Sequence, residues 1–316
     1  MLSDRSARSP PHPNHPRGAL APWGAAWFTW RPSAHAPPPR KATPMAPDLA
    51  PDLAPTLPRI MVAPNGARRT RADHPALPVT LPELVACAQA CRAAGAGGLH
   101  AHLRDGTERH LLDAGLYGEL LAEMARALPG FHVQITTEAA GRYGPEAQRA
   151  LVRALRPPSV SIALREILAD GNTAETARLF ALCAEAGILV QHILYDSADI
   201  AAFGAHLAAG LIPANLPLVV LLVLGRNPDA PPPGPADVAA PVAALRAVAP
   251  QASWGLCAFG PGEIACLVQA SRLGGLMRVG FENNIWRPDG SLATDNAAQV
   301  RALCAALAES EGAEGL

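Results

Sequence analysis

Residues 97–104 read GGLHAHLR, and the alternation within this run decides how the rest of the chain is read. In an extended strand successive side chains point to opposite faces. Leu99, Ala101 and Leu103 then share one face, and His100, His102 and Arg104 share the other. An apolar face backed by helices and a polar face turned inward suit a barrel strand whose interior holds chemistry. Seven further runs are strand-like: RIMVAPN (59–65), FHVQITTE (131–138), SVSIALRE (159–166), ILVQHILYD (188–196), LPLVVLLVLG (216–225), ASWGLCAFG (252–260) and LMRVGFENN (276–284). Ala/Leu-rich helical stretches separate them. In LPELVACAQACRAAGAG the closing glycines suit a helix C-cap. Eight βα units in about 250 residues predict an α/β fold of the (β/α)8 TIM-barrel type. A doubly wound open sheet is the alternative. No GxGxxG follows the first strand, however, and AGAGG at 94–98 precedes a strand, where it reads as a cap.

Composition narrows the chemistry. The chain has 316 residues, 49% of them hydrophobic, and a formal net charge of −1, which points neither to nucleic acid nor to an anionic membrane surface. The longest apolar run, 216–225, is too short for a bilayer span of about 20 residues. No signal-peptide pattern is expected at the N-terminus. Residues 1–58 carry 14 of the 33 prolines and the small repeat APDLAPDLAP. They read as a disordered tail ahead of a catalytic barrel over 59–316. Trp23, Trp27 and Trp30 are unusual there, as a docking patch or as a sign that the true start is Met45. Six scattered cysteines lack a secreted-domain spacing and suggest a reducing, cytoplasmic setting; Cys87 and Cys91 share one helix face. Lys41, in the tail, is the only lysine. A barrel without lysine forms no Schiff base, so carbon–carbon bond chemistry needs another electron sink, and a metal ion is the obvious one.

Polar side chains converge on the predicted interior near the C-terminal strand ends. The eighth strand-like run, LMRVGFENN, splits Val279 and Phe281 from Arg278, Gly280 and Glu282. Thr136 lies opposite in sense to Val133 and Ile135, and Ser161 and Arg165 lie opposite to Val160, Ile162 and Leu164. His100, His102 and Glu282 form a His2Glu set with room for an open position, suiting a catalytic Zn2+ that polarises a carbonyl. Co2+ and Mn2+ accept the same ligands. His12, His15 and His35 belong to the tail, His74, His110, His132 and His206 to loops or surface, and His192 points toward the helices.

Taken in order, NGARRTRADHPALPVT (65–80), GLHAHLRDG (98–106), VQITTE (133–138) and VGFENN (279–284) resemble the β-keto acid cleavage enzymes. The 3-keto-5-aminohexanoate cleavage enzyme is the type of that family, and the resemblance runs from Arg59 to Glu309. It implies a Zn2+-dependent TIM barrel, a homo-oligomer of dimeric or tetrameric form. The implied reaction is acyl exchange between a β-keto acid and acetyl-CoA, giving acetoacetate and a new acyl-CoA. Carried over by motif, the metal ligands fall on His100, His102 and Glu282. The hydroxyls that hold the substrate carboxylate fall on Thr136 and Ser161, and the active-site arginine falls on Arg278. A CoA phosphate could meet GPGE (260–263), if that run opens a helix.

Two departures stand out. Family members commonly read EDN after the metal glutamate, with the aspartate taking part in proton abstraction beside the arginine; here Asn283 stands there, and a carboxamide is no general base. Asp105 or a metal-activated hydroxide are the substitutes. After the first strand the type enzyme has an acid, matching a distal ammonium on its substrate; this chain has Arg68, followed by Arg69 and Arg71. Arg68 therefore suggests a substrate with a neutral or anionic distal group, or else a structural or CoA-contacting arginine. Gln191 and Ile193 also stand where the type enzyme has acids.

Other classes fit less well. Amidohydrolases place HxH on the first strand, and lyases resembling the HMG-CoA lyases place it late in the chain. A metal-binding protein that has lost its catalytic base is the third alternative, because of Asn283.

Overall fold

The computed structural model describes residues 57–227, 230–287 and 289–314. The proline-rich stretch, its repeat, the three tryptophans and Met45 lie outside the described residues, as does most of the segment expected as a tail. Leu57, at its end, is buried.

Eight parallel strands close into a barrel. They are β1 (Ile60–Val62), β2 (Gly98–Ala101), β3 (His132–Thr136), β4 (Ser159–Ala163), β5 (Leu189–Leu194), β6 (Val219–Leu224), β7 (Ser253–Ala258) and β8 (Leu276–Val279). Neighbours follow chain order, and β1 pairs with β8 to shut the ring. The eight expected runs become the eight barrel strands, each shorter than its run. The helices that follow them in turn are α1 (Leu81–Ala93), α2 (Ala114–Ala127), α3 (Pro145–Leu155), α4 (Thr173–Glu185), α5 (Ser197–Ala208), α6 (Ala239–Val248), α7 (Glu263–Arg272) and α8 (Asn296–Glu314). Among the described residues no helix is long and apolar enough to cross a membrane; the apolar run at 216–225 is β6.

The helices begin where local chemistry lets them. Thr80 caps α1 with a capping box: its hydroxyl accepts from Glu83 N, and Glu83 Oε2 accepts from Thr80 N at 2.9 Å. Past α1, Gly95 takes φ +113°, which lets the chain turn back into β2. The outward strand faces (Leu99, Ile135, Val160, Ile162, Val190, Val220, Leu256 and Val279) pack against the helices in one continuous cluster. Burying such side chains is worth about 1.5–3 kcal/mol each. Leu57, Met61, Leu189 and Val219 plug the barrel at its N-terminal end. The chemistry is thereby confined to the opposite end.

Strand register sets the interior. His100 pairs with Gln134, Thr136 with Ser161, Ser161 with Gln191, and Met61 with Arg278. Paired residues in parallel strands point the same way, so one polar ring forms from five separate βα units.

Two expected inward positions are not inward. β4 stops at Ala163, and Leu164–Ile167 form a helical turn. Arg165 consequently leaves the barrel axis and pairs with Asp199 at 2.6 Å, its side chain 44% exposed. β2 likewise breaks at His102, and Leu103–Arg104 pair with His110–Leu111 in a small antiparallel hairpin. Arg104 turns to clamp carbonyls, reaching Asn65 O at 3.0 Å and Glu108 O at 2.6 Å, and it also contacts Gly66 O.

Candidate active site

His100 and His102 project from β2 and its immediate end, two residues apart on one face. Glu282 arrives from a turn rather than a strand. β8 ends at Val279, and Gly280 takes φ +139° where a Cβ would lie 2.5 Å from Ala63 O. The left-handed step swings the chain so that Glu282 N donates to Ala63 O at 3.0 Å. Asn296, at the start of α8, pins the turn by accepting from Phe281 N at 2.9 Å and donating to Pro64 O at 3.1 Å. Gly66 lies against the Glu282 side chain so closely that a Cβ there would sit 2.5 Å from its Cγ.

The three ligand-bearing groups meet. His100 Nε2 and His102 Nε2 are 3.0 Å apart, and Glu282 Oε2 is 3.7 Å from the first and 3.4 Å from the second. A tetrahedral ion with bonds of roughly 2.0–2.2 Å holds its ligand atoms about 3.3–3.6 Å apart, so this triangle has the size a single cation requires. Gln134 Oε1 accepts a hydrogen bond from His100 Nδ1 at 2.8 Å, which keeps the ring proton on Nδ1 and leaves Nε2 as a lone-pair donor. Glu282 Oε2 is buried without a hydrogen-bond partner among the described residues. Converging imidazole lone pairs and an orphaned carboxylate oxygen are the chemistry of a divalent-cation site.

The electrostatics agree. Burial, then the neighbouring Arg278, push His100 down to about 4, and burial pushes His102 well below the usual imidazole range. Both rings are neutral near pH 7, the form that ligates. Burial alone would raise Glu282, but Arg278 and the two histidines hold it well below the ordinary carboxylate range. Arg278 Nη2 donates to Glu282 Oε1 at 3.0 Å and to Cys257 Sγ at 3.3 Å, which orients the carboxylate with Oε2 toward the imidazoles.

The other expected site residues divide. Thr136 and Ser161 are buried side by side, their hydroxyl oxygens 3.4 Å apart. Asn283 is not in the ring: its amide donates to Glu263 Oε1 at 3.1 Å and to Arg278 O at 3.0 Å, behind the β8 turn. Arg68 stands at the mouth, 66% exposed, with Nε 4.0 Å from Glu138 Oε1. Asp105 is engaged in its own hairpin, accepting from Thr107 and Arg109, and these contacts hold its carboxylate low. It offers no base at the trio. GPGE does open α7, but its Glu263 points inward, into the protein.

Several residues near the site carried no expectation. Gln134 shares the inward face of Thr136 and was legible from period two alone. Glu138, just beyond β3, is 3.9 Å from His102 Nε2 and 3.1 Å from Arg226 Nη2. Burial and the nearby Glu282 raise its pKa, against the pull of Arg226. Arg226 follows β6 and lies over the Phe259 ring, 5.1 Å from its centroid. His110, expected at the surface, is buried with its ring 5.0 Å from that of His102. His74 is buried as well, its ring 4.3 Å from that of Phe281. His192 does face the helices, between Phe180 and Phe203.

The cleft over the trio is small. One part, about 170 Å³, is lined by Asn65, Arg68, Glu138, Arg226, Phe259 and Glu282; a second, about 20 Å³, reaches His100, Thr136, Tyr195 and Arg278. A larger cavity of about 690 Å³ opens at the N-terminal end beside Leu57, Trp254 and Leu276, away from these groups. Active sites of this fold form at the C-terminal strand ends, and the smaller cleft holds the chemistry.

The sequence profile of the beta-keto acid cleavage enzymes matches residues 59–314, nearly the whole described chain. The chain belongs to the beta-keto acid cleavage enzyme family. Among relatives of this family member, the 3-oxoadipate:acetyl-CoA acetyltransferase of Cupriavidus necator is 29% identical over 260 residues, 78% of this chain and 87% of that protein. Solved structures share the fold. A ternary complex of ObcA with a C4-CoA adduct and oxalate superposes with a TM-score of 0.57 at 18% identity, over 75% of this chain and 65% of that one. The family member thus spans just under two thirds of ObcA. The 3-dehydroquinate dehydratase of Enterococcus faecalis gives 0.52 at 13% identity, over 82% and 96%. At these identities the likeness is one of barrel architecture.

Proposed function

We propose that the protein exchanges acyl groups between a β-keto acid and acetyl-CoA at the His100–His102–Glu282 centre, releasing acetoacetate and a new acyl-CoA. The observation that carries this reading is the convergence of two neutral imidazoles and one unpartnered carboxylate oxygen beside a hydroxyl pair and a buried arginine, in a chain of this family. The relative named for 3-oxoadipate and acetyl-CoA supports the same pair of reactants.

The residues have distinct tasks. His100, His102 and Glu282 would hold a divalent ion, with Zn2+ the proposed one. When bound, it supplies a Lewis acid for the keto and carboxylate oxygens. Thr136 and Ser161 donate hydroxyl hydrogen bonds to the substrate carboxylate and fix the C2 methylene. Arg278 is buried beside Cys257 and Glu282, which raise its pKa even though burial opposes its charge. It offers a permanent cation to the negative charge that develops as C2 loses its proton. Bond accounting is simple. The C2 carbanion forms a bond to the acetyl carbonyl carbon and CoA leaves as thiolate. The thiolate then adds to the original C3 carbonyl, the C2–C3 bond breaks with its electron pair left on C2, that carbon takes back one proton for the one it lost, and acetoacetate and the new thioester separate. Asn283 takes no proton in this scheme; it serves as a donor that holds Glu263 and the Arg278 carbonyl. The cleft at Arg68 admits the substrate.

All six cysteines are free, which suits the proposed cytoplasmic setting, and a homo-oligomer belongs to the same proposal. The decisive test mixes a panel of β-keto acids with acetyl-CoA, with and without chelator, and follows acetoacetate and acyl-CoA by mass spectrometry. Chelator-sensitive formation of both products is expected. Free acid formed without CoA would assign a hydrolase, and bound metal with no turnover on any keto acid would assign a non-catalytic shell.

A further inference from the structure

We propose that Arg226 reads a second carboxylate at the far end of the keto acid, which makes the substrate class a 3-oxo dicarboxylate. This rests on the acyl-exchange reading and names its substrate class.

Arg226 is placed for such a role. It follows Gly225, whose φ of +71° turns the chain off β6, and a Cβ there would lie 2.7 Å from Phe259 O. Its side chain lines both parts of the cleft, together with Glu138, Phe259 and Glu282. Two contacts fix the guanidinium: Nη2 donates to Glu138 Oε1 at 3.1 Å, and the plane lies over Phe259. Among the described residues Nε, Nη1 and the second N–H of Nη2 make no hydrogen bond, so one two-donor edge of the guanidinium, shared with Nη2, remains for a ligand carboxylate. Glu138 also spans the gap inward, its other oxygen standing 3.9 Å from His102 Nε2. The reach of one carboxylate group therefore separates Arg226 from the trio, and a chain of a few carbons crosses it.

Charge favours the same class. Arg68, Arg69, Arg226 and Arg278 line the cleft with Glu138 and Glu282, four cations against two carboxylates before any divalent ion is counted. Gln191 and Ile193 add no acid to the interior. A distal ammonium would meet net repulsion; a distal carboxylate meets a prepared fork. Arg226 is the better reader than Arg68 because its side chain is 30% exposed against 66%. A partly desolvated, pinned guanidinium discriminates more than one moving in water.

The test compares kcat/KM for a 3-oxo dicarboxylate and for its distal methyl half-ester, with acetyl-CoA, in wild type, Arg226→Gln, Arg226→Lys and Arg68→Ala. In Arg226→Gln the dicarboxylate-to-half-ester ratio should fall about 10–100-fold, the value of a lost charge-assisted hydrogen-bonded pair. Arg226→Lys should keep part of the preference, and Arg68→Ala should move the ratio by less than about threefold, as expected of an exposed, screened charge. An unchanged ratio in Arg226→Gln overturns the proposal. So does a rise confined to the KM of acetyl-CoA, which would make Arg226 a CoA contact. If wild type exchanges acyl groups with no keto acid, the reaction reading fails by itself. Calorimetric binding of the dicarboxylate and half-ester to metal-loaded wild type and Arg226→Gln then decides the subsite: wild type should prefer the dicarboxylate and the variant should lose that preference, and equal preference in both overturns it.

Discussion

His100 Nε2 and His102 Nε2 face each other across 3.0 Å, and His100 Nδ1 is tied back to Gln134. A divalent ion bound there would take the lone pairs of both Nε2 atoms in place of the direct contact they make with each other. His100→Ala, His102→Ala and Glu282→Gln are each expected to abolish stoichiometric metal, read by elemental mass spectrometry, and to lower kcat at least about 1,000-fold, because a three-ligand site with one removed cannot hold its ion. Chelation of the wild type should lower the melting temperature. Ligand at about 1,000 times its Kd contributes about 4 kcal/mol of stability, and returning metal should restore it. An unshifted melting temperature on chelation would count against a built metal site.

Gln134 orients a ligand it does not replace. In Gln134→Leu, His100 loses the acceptor that fixes its tautomer, and metal affinity should weaken about 10–100-fold. Competition with a coloured chelator measures this. The fold should survive, since leucine fills a similar volume, and the helix content by circular dichroism provides the control.

Gly66 and Glu282 form a close contact that only a hydrogen side chain permits. Gly66→Ala places a methyl 2.5 Å from Glu282 Cγ, at a residue with φ +60°. The strain should cost about 1–3 kcal/mol of stability. The displaced carboxylate should also lose metal, so the variant should show both a lower melting temperature and a weaker site. Loss of stability with undiminished metal affinity would place the strain elsewhere in the loop.

Glu263 supplies a pH dependence. It is fully buried, with Oε1 accepting from Gly280 N and Asn283 Nδ2, and burial raises its pKa from 4.5 to about 8. A carboxyl whose folded pKa lies above its unfolded one binds its proton more tightly when folded. The native state is then favoured below pH 4.5, and this contribution is lost as pH rises from 4.5 toward 8. Glu263→Gln should flatten the decline in melting temperature across that window. A slope equal to that of wild type would show that Glu263 is ionised throughout.

Asn283 and Glu263 are coupled. Restoring the family's usual aspartate by Asn283→Asp would set two carboxylates about as close as the present amide contact of 3.1 Å. Like charges at that distance disfavour joint ionisation. The variant should lose about 1–3 kcal/mol at pH 8 and less at pH 5, and Asn283→Asp with Glu263→Gln should recover most of the loss. Denaturant melts at both pH values measure it.

Most of the barrel was legible in the chain because period-two alternation and turn residues act locally. GGLHAHLR turns His100 and His102 inward by the geometry of a strand alone, and Thr136 and Ser161 follow the same rule in theirs. Two of the failures share one cause. Arg165 and Arg104 were extrapolated along runs whose strands end earlier, at Ala163 and Ala101; hydrogen bonding to neighbouring strands decides where extension stops, and that is not a local property. Glu138 continues the inward parity of Gln134 and Thr136 two residues past its strand, whereas Arg226, two residues past β6, falls on the outward parity and carries no such signal.

By itself, the sequence determined the alternation of strands and helices, the ligand types, the lack of any lysine in the barrel and the Asn283 departure, because each depends on residue identity and short-range spacing. Tertiary structure alone decided that Glu282 reaches the histidines through the left-handed turn at Gly280, that Asn283 turns back to Glu263, and that Glu138 and Arg226 meet over the cleft. These are relations between segments separated by tens to nearly two hundred residues. They exist only once ring closure brings β1 to β8, and no local preference encodes that closure.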